Sequence, residues 1–330
     1  MILTCLSAVY GSAASWRRRW YARDSERRRR LSRPVVSVGN LRVGGTGKTP
    51  IVEYVARLLC DHRRPAVLTR GYARRDVEDG VTVVSDGESI LADVARAGDE
   101  PLMLAHALPR VPVLAGANRY LSGLLAERRF GVDVHVLDDG FQHVELARTV
   151  DLLLVDEADL ADQPLPKGRL REPLGNAAVA DAALVTAGYT AAAERVGRAL
   201  GIPTVFRVTR TLGAPRVIRN GESIVVPAGA RVFAVAAIAR PELFFADIAA
   251  AGWQVVGTLA FRDHYRFGPR DVQRIAAAAK SAAAAIVLTT DKDAVRLAAC
   301  DLQQLPIAAV PLAAAVDPAK EFRDWLLGRL

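Results

Sequence analysis

The chain has 330 residues, about half apolar and a quarter charged, enough for a large core and two domains. Its net charge of +8 is uneven: residues 1–33 carry nine arginines against Asp24 and Glu26, which leaves the remainder nearly neutral. That distribution argues for an anionic surface contact at one end and against a coat for nucleic acid. Three cysteines without a C-x-x-C pair argue against a disulfide framework or a zinc site and fit a reducing compartment.

The first sixteen residues, MILTCLSAVYGSAASW, are apolar but too short to span a bilayer. Their charge follows the apolar run, the reverse of an export signal. Ile2, Leu6, Val9, Ala13, Trp16 and Trp20 recur at alternating spacings of four and three and so share one helical face. With two tryptophans beside the arginines, residues 1–33 read as a basic amphipathic helix at a membrane surface. The other reading is a helix packed on the body with its polar face in water.

From residue 34 short apolar strands alternate with helices: PVVSV, the helix TPIVEYVARLLCDH, AVLT, the helix DEPLMLAHAL, VPVLAG, the helix NRYLSGLLAERRF, VDVHVL, DLLLVD and AALVTA. This predicts an α/β domain over 34–205 with a parallel sheet covered on both faces. Turn formers over 206–229 read as a linker. The alternation resumes in RVFAVAAI, WQVVGTLAF and AAIVLTT, with helices between and after them, which predicts a smaller α/β domain over 230–330.

The strand PVVSV leads into Arg42-Val43-Gly44-Gly45-Thr46-Gly47-Lys48-Thr49 and then a helix, the setting of a phosphate-binding loop. Glycines let backbone N–H groups face phosphate oxygens, and the helix N-terminus adds its positive end. Lys48 would reach the outer phosphates of ATP and the Thr49 hydroxyl would bind Mg²⁺. Arg42 stands where the usual pattern has its first glycine. The doubled glycine resembles the loop of ParA-like ATPases, which carry a lysine where Val43 stands.

The strand VDVHVL ends in Asp138-Asp139, at the end of a parallel strand where ligands bind. Two adjacent carboxylates repel each other and favour a cation, so they are metal candidates; Asp-Asp-Gly is also good turn chemistry. Asp156 is a weaker rival. Gln142 and His143 follow closely, His143 being either a structural hydrogen-bonder or a contact for substrate. Asp99 and Glu100 read as the first turn of a helix or as a base and a metal neighbour. Arg171 and Glu172 of GRLREP, and Arg119 after AGAN, are charged loop residues or contacts for a phosphorylated substrate.

SVGNLRVGGTGKTP, TRGY (69–72), GDEP (98–101), LDDGFQH (137–143), GRLREP (168–173), FRDHYRF (261–267) and TTDKDAVRL (289–297) together resemble the tetraacyldisaccharide 4′-kinases of lipid A synthesis. The resemblance implies ATP- and Mg²⁺-dependent phosphorylation of the 4′-hydroxyl of a tetraacylated glucosamine disaccharide 1-phosphate. It also implies two α/β domains with the site between them, on the cytoplasmic face of the inner membrane. In that family the loop has no earlier glycine, so Arg42 is no defect. The resemblance carries a base role onto Asp99, paired with His264, with Asp263 ranked below it; Lys48 and Asp139 complete the catalytic set, and Glu100 falls near the metal. No role attaches to Asp291, Lys292 or Asp293. Two rivals stand: a soluble ParA-like or ligase-type ATPase, and a membrane-bound nucleotide switch. Nothing in the sequence points to nucleic acid or to an obligate protein partner.

Overall fold

The computed structural model describes residues 2–44, 47–72, 74, 80–303 and 305–330. The chain opens with helix α1 (Ile2–Ala22). Strand β1 (Val35–Asn40) follows, then α2 (Lys48–Cys60), β2 (Pro65–Thr69), β3 (Thr82–Ser85), the single turn α3 (Val94–Ala97), α4 (Asp99–Ala107), β4 (Val113–Ala115), α5 (Arg119–Phe130) and β5 (Val134–Asp138). Next come β6 (Val150–Asp156), β7 (Ala182–Thr186), α6 (Thr190–Leu200) and β8 (Val205–Leu212). These strands, joined by a last one, form a nine-stranded sheet in which β8, β7, β6, β1, β5, β2 and β4 run parallel in that order. β3 pairs antiparallel with β4 at one edge.

Alternation explains why the central strands read as unbroken apolar runs. In β6, Val150, Leu152 and Leu154 join the core on one face, while Leu153 and Val155 join the core on the other. Successive side chains point to opposite faces, and helices cover both, so every position but the terminal Asp156 is buried. Truncating one such residue, Leu152 to alanine, would cost about 2–5 kcal/mol.

A second sheet contains β9 (Arg216–Val217), β10 (Arg231–Ala236), β11 (Gln254–Ala260), β12 (Ile286–Thr290) and β13 (Ile307–Val310), in the order β11-β10-β12-β13-β9. Helices α7 (Pro241–Ala250), α8 (Pro269–Ser281) and α9 (Asp291–Leu297) accompany it. The chain then returns. β14 (Leu312–Asp317) pairs antiparallel with β8 at the far edge of the large sheet, and α10 (Ala319–Leu327) buries Phe322 and Leu326 in the large sheet's core.

This division differs from the expected one in two respects. Residues 206–212, expected in a linker, continue β8. Residues 312–327, expected in the smaller domain, belong to the larger sheet. The reason is local: β14 reads LAAAVD, and alanine carries little strand preference. Its place is set by pairing with β8, which lies about a hundred residues away in sequence.

Candidate active site

The ends of β1, β2 and β5 converge where the large sheet faces the second one. Asn40 ends β1, Thr69 ends β2 and Asp138 ends β5. α2 begins at Lys48 immediately after Gly47, whose φ of 76° is left-handed; a Cβ there would also lie 2.9 Å from the Arg210 guanidinium carbon. Glycine adopts this turn without strain and leaves the Arg210 side chain where it stands. Gly44 is left-handed as well. Gly45 and Thr46 lie outside the described residues.

Lys48 is held on two sides. Its Nζ donates to Asn40 Oδ1 at 2.9 Å and stands 3.3 Å from Asp139 Oδ1. Asp139 has a φ of 51°, a left-handed turn that aspartate tolerates better than most residues. The two adjacent carboxyls therefore diverge. Asp139 takes a two-pronged contact from Arg171, Nη1 at 2.8 Å and Nη2 at 2.7 Å, and Arg171 Nη2 also reaches Asn40 Oδ1. Asp138 turns into the buried edge and accepts from Thr69 Oγ1 at 3.1 Å.

Their protonation diverges too. Burial, followed by the charges of Glu100 and Asp139, pushes Asp138 up to about 7. Burial would raise Asp139 also, but Arg171 and Lys48 outweigh it and hold this carboxyl well below the usual range. Asp139 thus already has its cations, whereas Asp138 is short of positive charge.

A cleft of about 600 Å³ runs from this loop to the second sheet. Val43, Gly44, Gly47, Lys48, Thr49, Asp138, Asp139 and Arg171 line it from one side, with Glu100. Asp263, His264, Asp291 and Lys292 line it from the other. His264 Nδ1 lies 2.9 Å from Asp99 Oδ2, while Asp99 is 3% exposed at the start of α4. Gly98, not Asp99, is the cap of that helix; Asp99 Oδ1 accepts from the next backbone N–H, of Glu100. Arg296 Nη2 stands 3.2 Å from Asp99 Oδ2 and its Nη1 donates to the Tyr265 carbonyl beside His264. Burial would raise Asp99, but the His264 hydrogen bond and the charges of Lys292, His264 and Arg296 hold it below the ordinary carboxylate value. An ionised Asp99 can only accept, so Nδ1 of His264 carries a proton, and in the neutral form of the ring the lone pair is on Nε2.

His264 itself sits at a φ of 58°, a left-handed conformation uncommon outside glycine that its surroundings hold. Its backbone N–H donates to Ala237 O and Asp263 Oδ1, and Tyr72 packs tilted against the ring at 5.4 Å. Lys292 Nζ donates to Glu100 Oε1 at 2.9 Å and lies 3.5 Å from His264 Nε2. Burial would lower Lys292, but Glu100 and Asp99 outweigh it and raise its pKa. Lys292 thereby gains a place in the cleft that its motif alone did not disclose. Asp291 also lines it, pushed up to about 6 chiefly by burial. Asp293 is buried beneath, held by Ala237 N and Thr290 Oγ1.

Other expected residues stand outside the cleft lining. Arg42 pairs with Asp159 at 3.0 Å. Gln142 donates to the Asn40 carbonyl behind the loop. His143 is pushed down to about 4 by burial, then by Arg119. Arg119 is buried and donates to Ala117 O. Glu172 is 4% exposed and is forked by Arg18 of α1. Asn40 and Thr69, which hold Lys48 and Asp138, carry no role in the sequence by themselves; their signal is their position at strand ends and their place within the motifs SVGNLRVGGTGKTP and TRGY.

A family model described as tetraacyldisaccharide-1-P 4'-kinase matches residues 1–330. A protein named tetraacyldisaccharide 4'-kinase from Geobacter metallireducens is 42% identical over 301 residues, covering 90% of this chain and 88% of that protein. One of the same name from Syntrophus aciditrophicus is 37% identical over 349 residues, covering 99% and 92%. A crystal structure of LpxK from Aquifex aeolicus in complex with ATP superposes with a TM-score of 0.81 at 30% identity, covering 99% of this chain and 98% of that one.

Proposed function

This chain belongs to the tetraacyldisaccharide-1-P 4'-kinase family, kinases of lipid A biosynthesis, and we propose how its cleft divides that work. The triphosphate of ATP lies along Gly44, Gly47, Lys48 and Thr49, with Lys48 supplying positive charge to the outer phosphates. Asp139 orients Lys48.

The donor set suits magnesium. Asp138 is a buried oxygen ligand lacking a cation, with Thr49 and Glu100 beside it in the cleft. Among the described residues no three carboxylate, imidazole or thiol groups are grouped to hold an ion by themselves. Magnesium commonly takes one or two carboxylates and completes its shell with phosphate oxygens and water. Asp138, Thr49 and Glu100 would hold it, and when bound it neutralises charge on the transferring phosphate.

Opposite, His264 takes the proton. Nε2 faces the cleft while Asp99 behind it holds the ring and stabilises the charged form. The acceptor O–H bond breaks, its proton moves to Nε2, the oxygen bonds the γ-phosphorus, and the bond from that phosphorus to ADP breaks. The acceptor is the 4′-hydroxyl of an acylated glucosamine disaccharide 1-phosphate. The observation that carries this reading is the His264–Asp99 pair facing the Lys48 loop across one cleft. A soluble ATPase or nucleotide switch has no need of it.

Helix α1 supports a peripheral position on the anionic cytoplasmic face of the inner membrane. Ile2, Leu6, Val9 and Trp16 are exposed at 77, 50, 68 and 62%, an apolar stripe of the kind that enters an interface. No helix among the described residues is long and apolar enough to cross a membrane.

Incubation with γ-labelled ATP and a panel of acylated disaccharide 1-phosphates tests the reaction. Label at the 4′ position is the expected result; label released only as phosphate would overturn it.

A further inference from the structure

Helix α1 docks through its small and polar side. Ser7, Gly11 and Arg18 are its buried residues, four and seven positions apart and so on one face. A Cβ on Gly11 would lie 3.0 Å from Pro173 Cγ, so glycine permits the close approach. Ser7 Oγ accepts from Lys167 N at 3.0 Å, and Ser15 Oγ donates to Asn176 Oδ1 at 3.2 Å.

Arg18 ends this face, and its guanidinium grips two separate segments. Nε and Nη2 fork onto the two oxygens of Glu172, each at 2.7 Å. Nη2 also donates to the Phe141 carbonyl at 2.8 Å, and the guanidinium lies 4.2 Å over the Phe141 ring. Both partners adjoin the site. Glu172 is the neighbour of Arg171, which turns the other way to grip Asp139. Phe141 stands two residues after Asp139.

We propose that Arg18 is a positioning residue of the active site: one buried guanidinium fixes both backbone segments that bring Arg171 and Asp139 together, and through Asp139 it sets Lys48. Its charge is spent inside the protein, unlike that of the exposed Arg19 on the same helix. A planar fork satisfying three acceptors is a task lysine cannot repeat. The link to turnover rests on the kinase reading; the geometric link between Arg18 and Arg171 does not.

The test uses the full chain with Arg18→Met, Arg18→Lys, Arg171→Met and the double variant Arg18→Met/Arg171→Met. With detergent-dispersed acceptor, Arg18→Met should lower kcat by about a hundredfold, the cost of displacing a site by about an ångström. Arg18→Lys should recover only part of it. The double variant should be no slower than the worse single one, because both changes break the same arrangement. Sedimentation of Arg18→Met with anionic phospholipid vesicles should match the parent. If Arg18→Met does not fold, Glu172→Gln, which keeps the shape and loses the charge, replaces it in the same scheme. A normal kcat for folded variants, or losses that multiply in the double variant, overturns the proposal.

A second readout needs no acceptor. Nitrogen-15 spectra of the arginine side chains, with Arg171 assigned from Arg171→Met, should show its protected N–H signals in the parent and their loss in the Arg18 variant. Unchanged Arg171 signals overturn the proposal. If the parent labels no acceptor, the kinase reading fails alone, and these spectra still decide the role of Arg18.

Discussion

Nδ1 of His264 stands 2.9 Å from Oδ2 of Asp99, joining residues 165 positions apart in the chain, one at the start of α4 and the other in the turn after β11. Arg296, on α9 of the second sheet, closes on the same carboxylate oxygen at 3.2 Å. Asp99 is therefore a buried carboxylate with two partners that reach it from the opposite layer. His264 is the member of the pair that lines the cleft.

Asp99→Asn and His264→Ala should each lower turnover by about 10²- to 10⁴-fold, the usual worth of a positioned general base. The double variant should be little worse than either single one, because the pair acts as a unit. Affinity for ATP, measured by calorimetric titration, should stay near the parent value. Multiplying losses would separate the two roles.

The neighbouring aspartates should answer magnesium differently. Asp138→Asn should raise the magnesium concentration needed for half-maximal transfer, because it removes the carboxylate short of a cation. Asp139→Asn should lower kcat with little change in that concentration, because its partners are Arg171 and Lys48. Lys48→Ala should abolish transfer. Chelation of magnesium should halt it in the parent. Magnesium titrations of initial rate check all four.

Without magnesium, the contribution of Asp138 to stability should fall as pH rises. Asp138 holds its proton up to about 7 in the folded chain, whereas an unfolded aspartate releases it near about 3.9. Between those values the folded state binds more protons, so its contribution is complete below the lower value and is lost as pH rises through the upper one. The whole effect is on the order of 4 kcal/mol at most. Asp291 acts in the same direction but only up to about 6. His106, His135 and His143, held below the ordinary imidazole value by burial, act in the opposite sense in this range, so Asp138 is read as the difference between chains: between pH 6 and 7 the stability of Asp138→Asn should change more favourably with rising pH than that of the parent. The difference in melting temperature between the parent and Asp138→Asn, in chelator across that range, checks the sign.

Single changes on the exposed face of α1 should separate membrane contact from fold. Leu6→Asp and Trp16→Asp should lower sedimentation with anionic vesicles and leave the melting temperature near that of the parent, since both side chains face solvent. Removing the whole helix is a poorer test, because it also removes Arg18 from Glu172 and Phe141.

Much of this was written locally. The apolar runs of β1, β2, β5 and β6 are buried on both faces, so each reads as a strand without reference to its neighbours. The phosphate loop is legible because glycine is the residue that tolerates the left-handed turns at 44 and 47, and Lys48 and Thr49 must follow them. Asp138-Asp139 at a strand end is legible for a similar reason. β14 was not, because three alanines in a row carry no strand signal and only β8 supplies one.

The sequence by itself determined the alternating strands and helices, the nucleotide loop, the acidic strand end and the family, because short-range spacing and backbone chemistry encode them. Tertiary structure alone decided which side of α1 is buried. The apolar stripe that a soluble helix would hide is exposed, and Ser7, Gly11 and Arg18 pack inward. It also decided which aspartate is already paired, that Lys292 reaches the cleft, and that an arginine from a basic segment is buried against Glu172. Periodicity locates a face but not what the face meets. Charge on a residue gives its sign but not its partner, and partners here lie more than a hundred positions away.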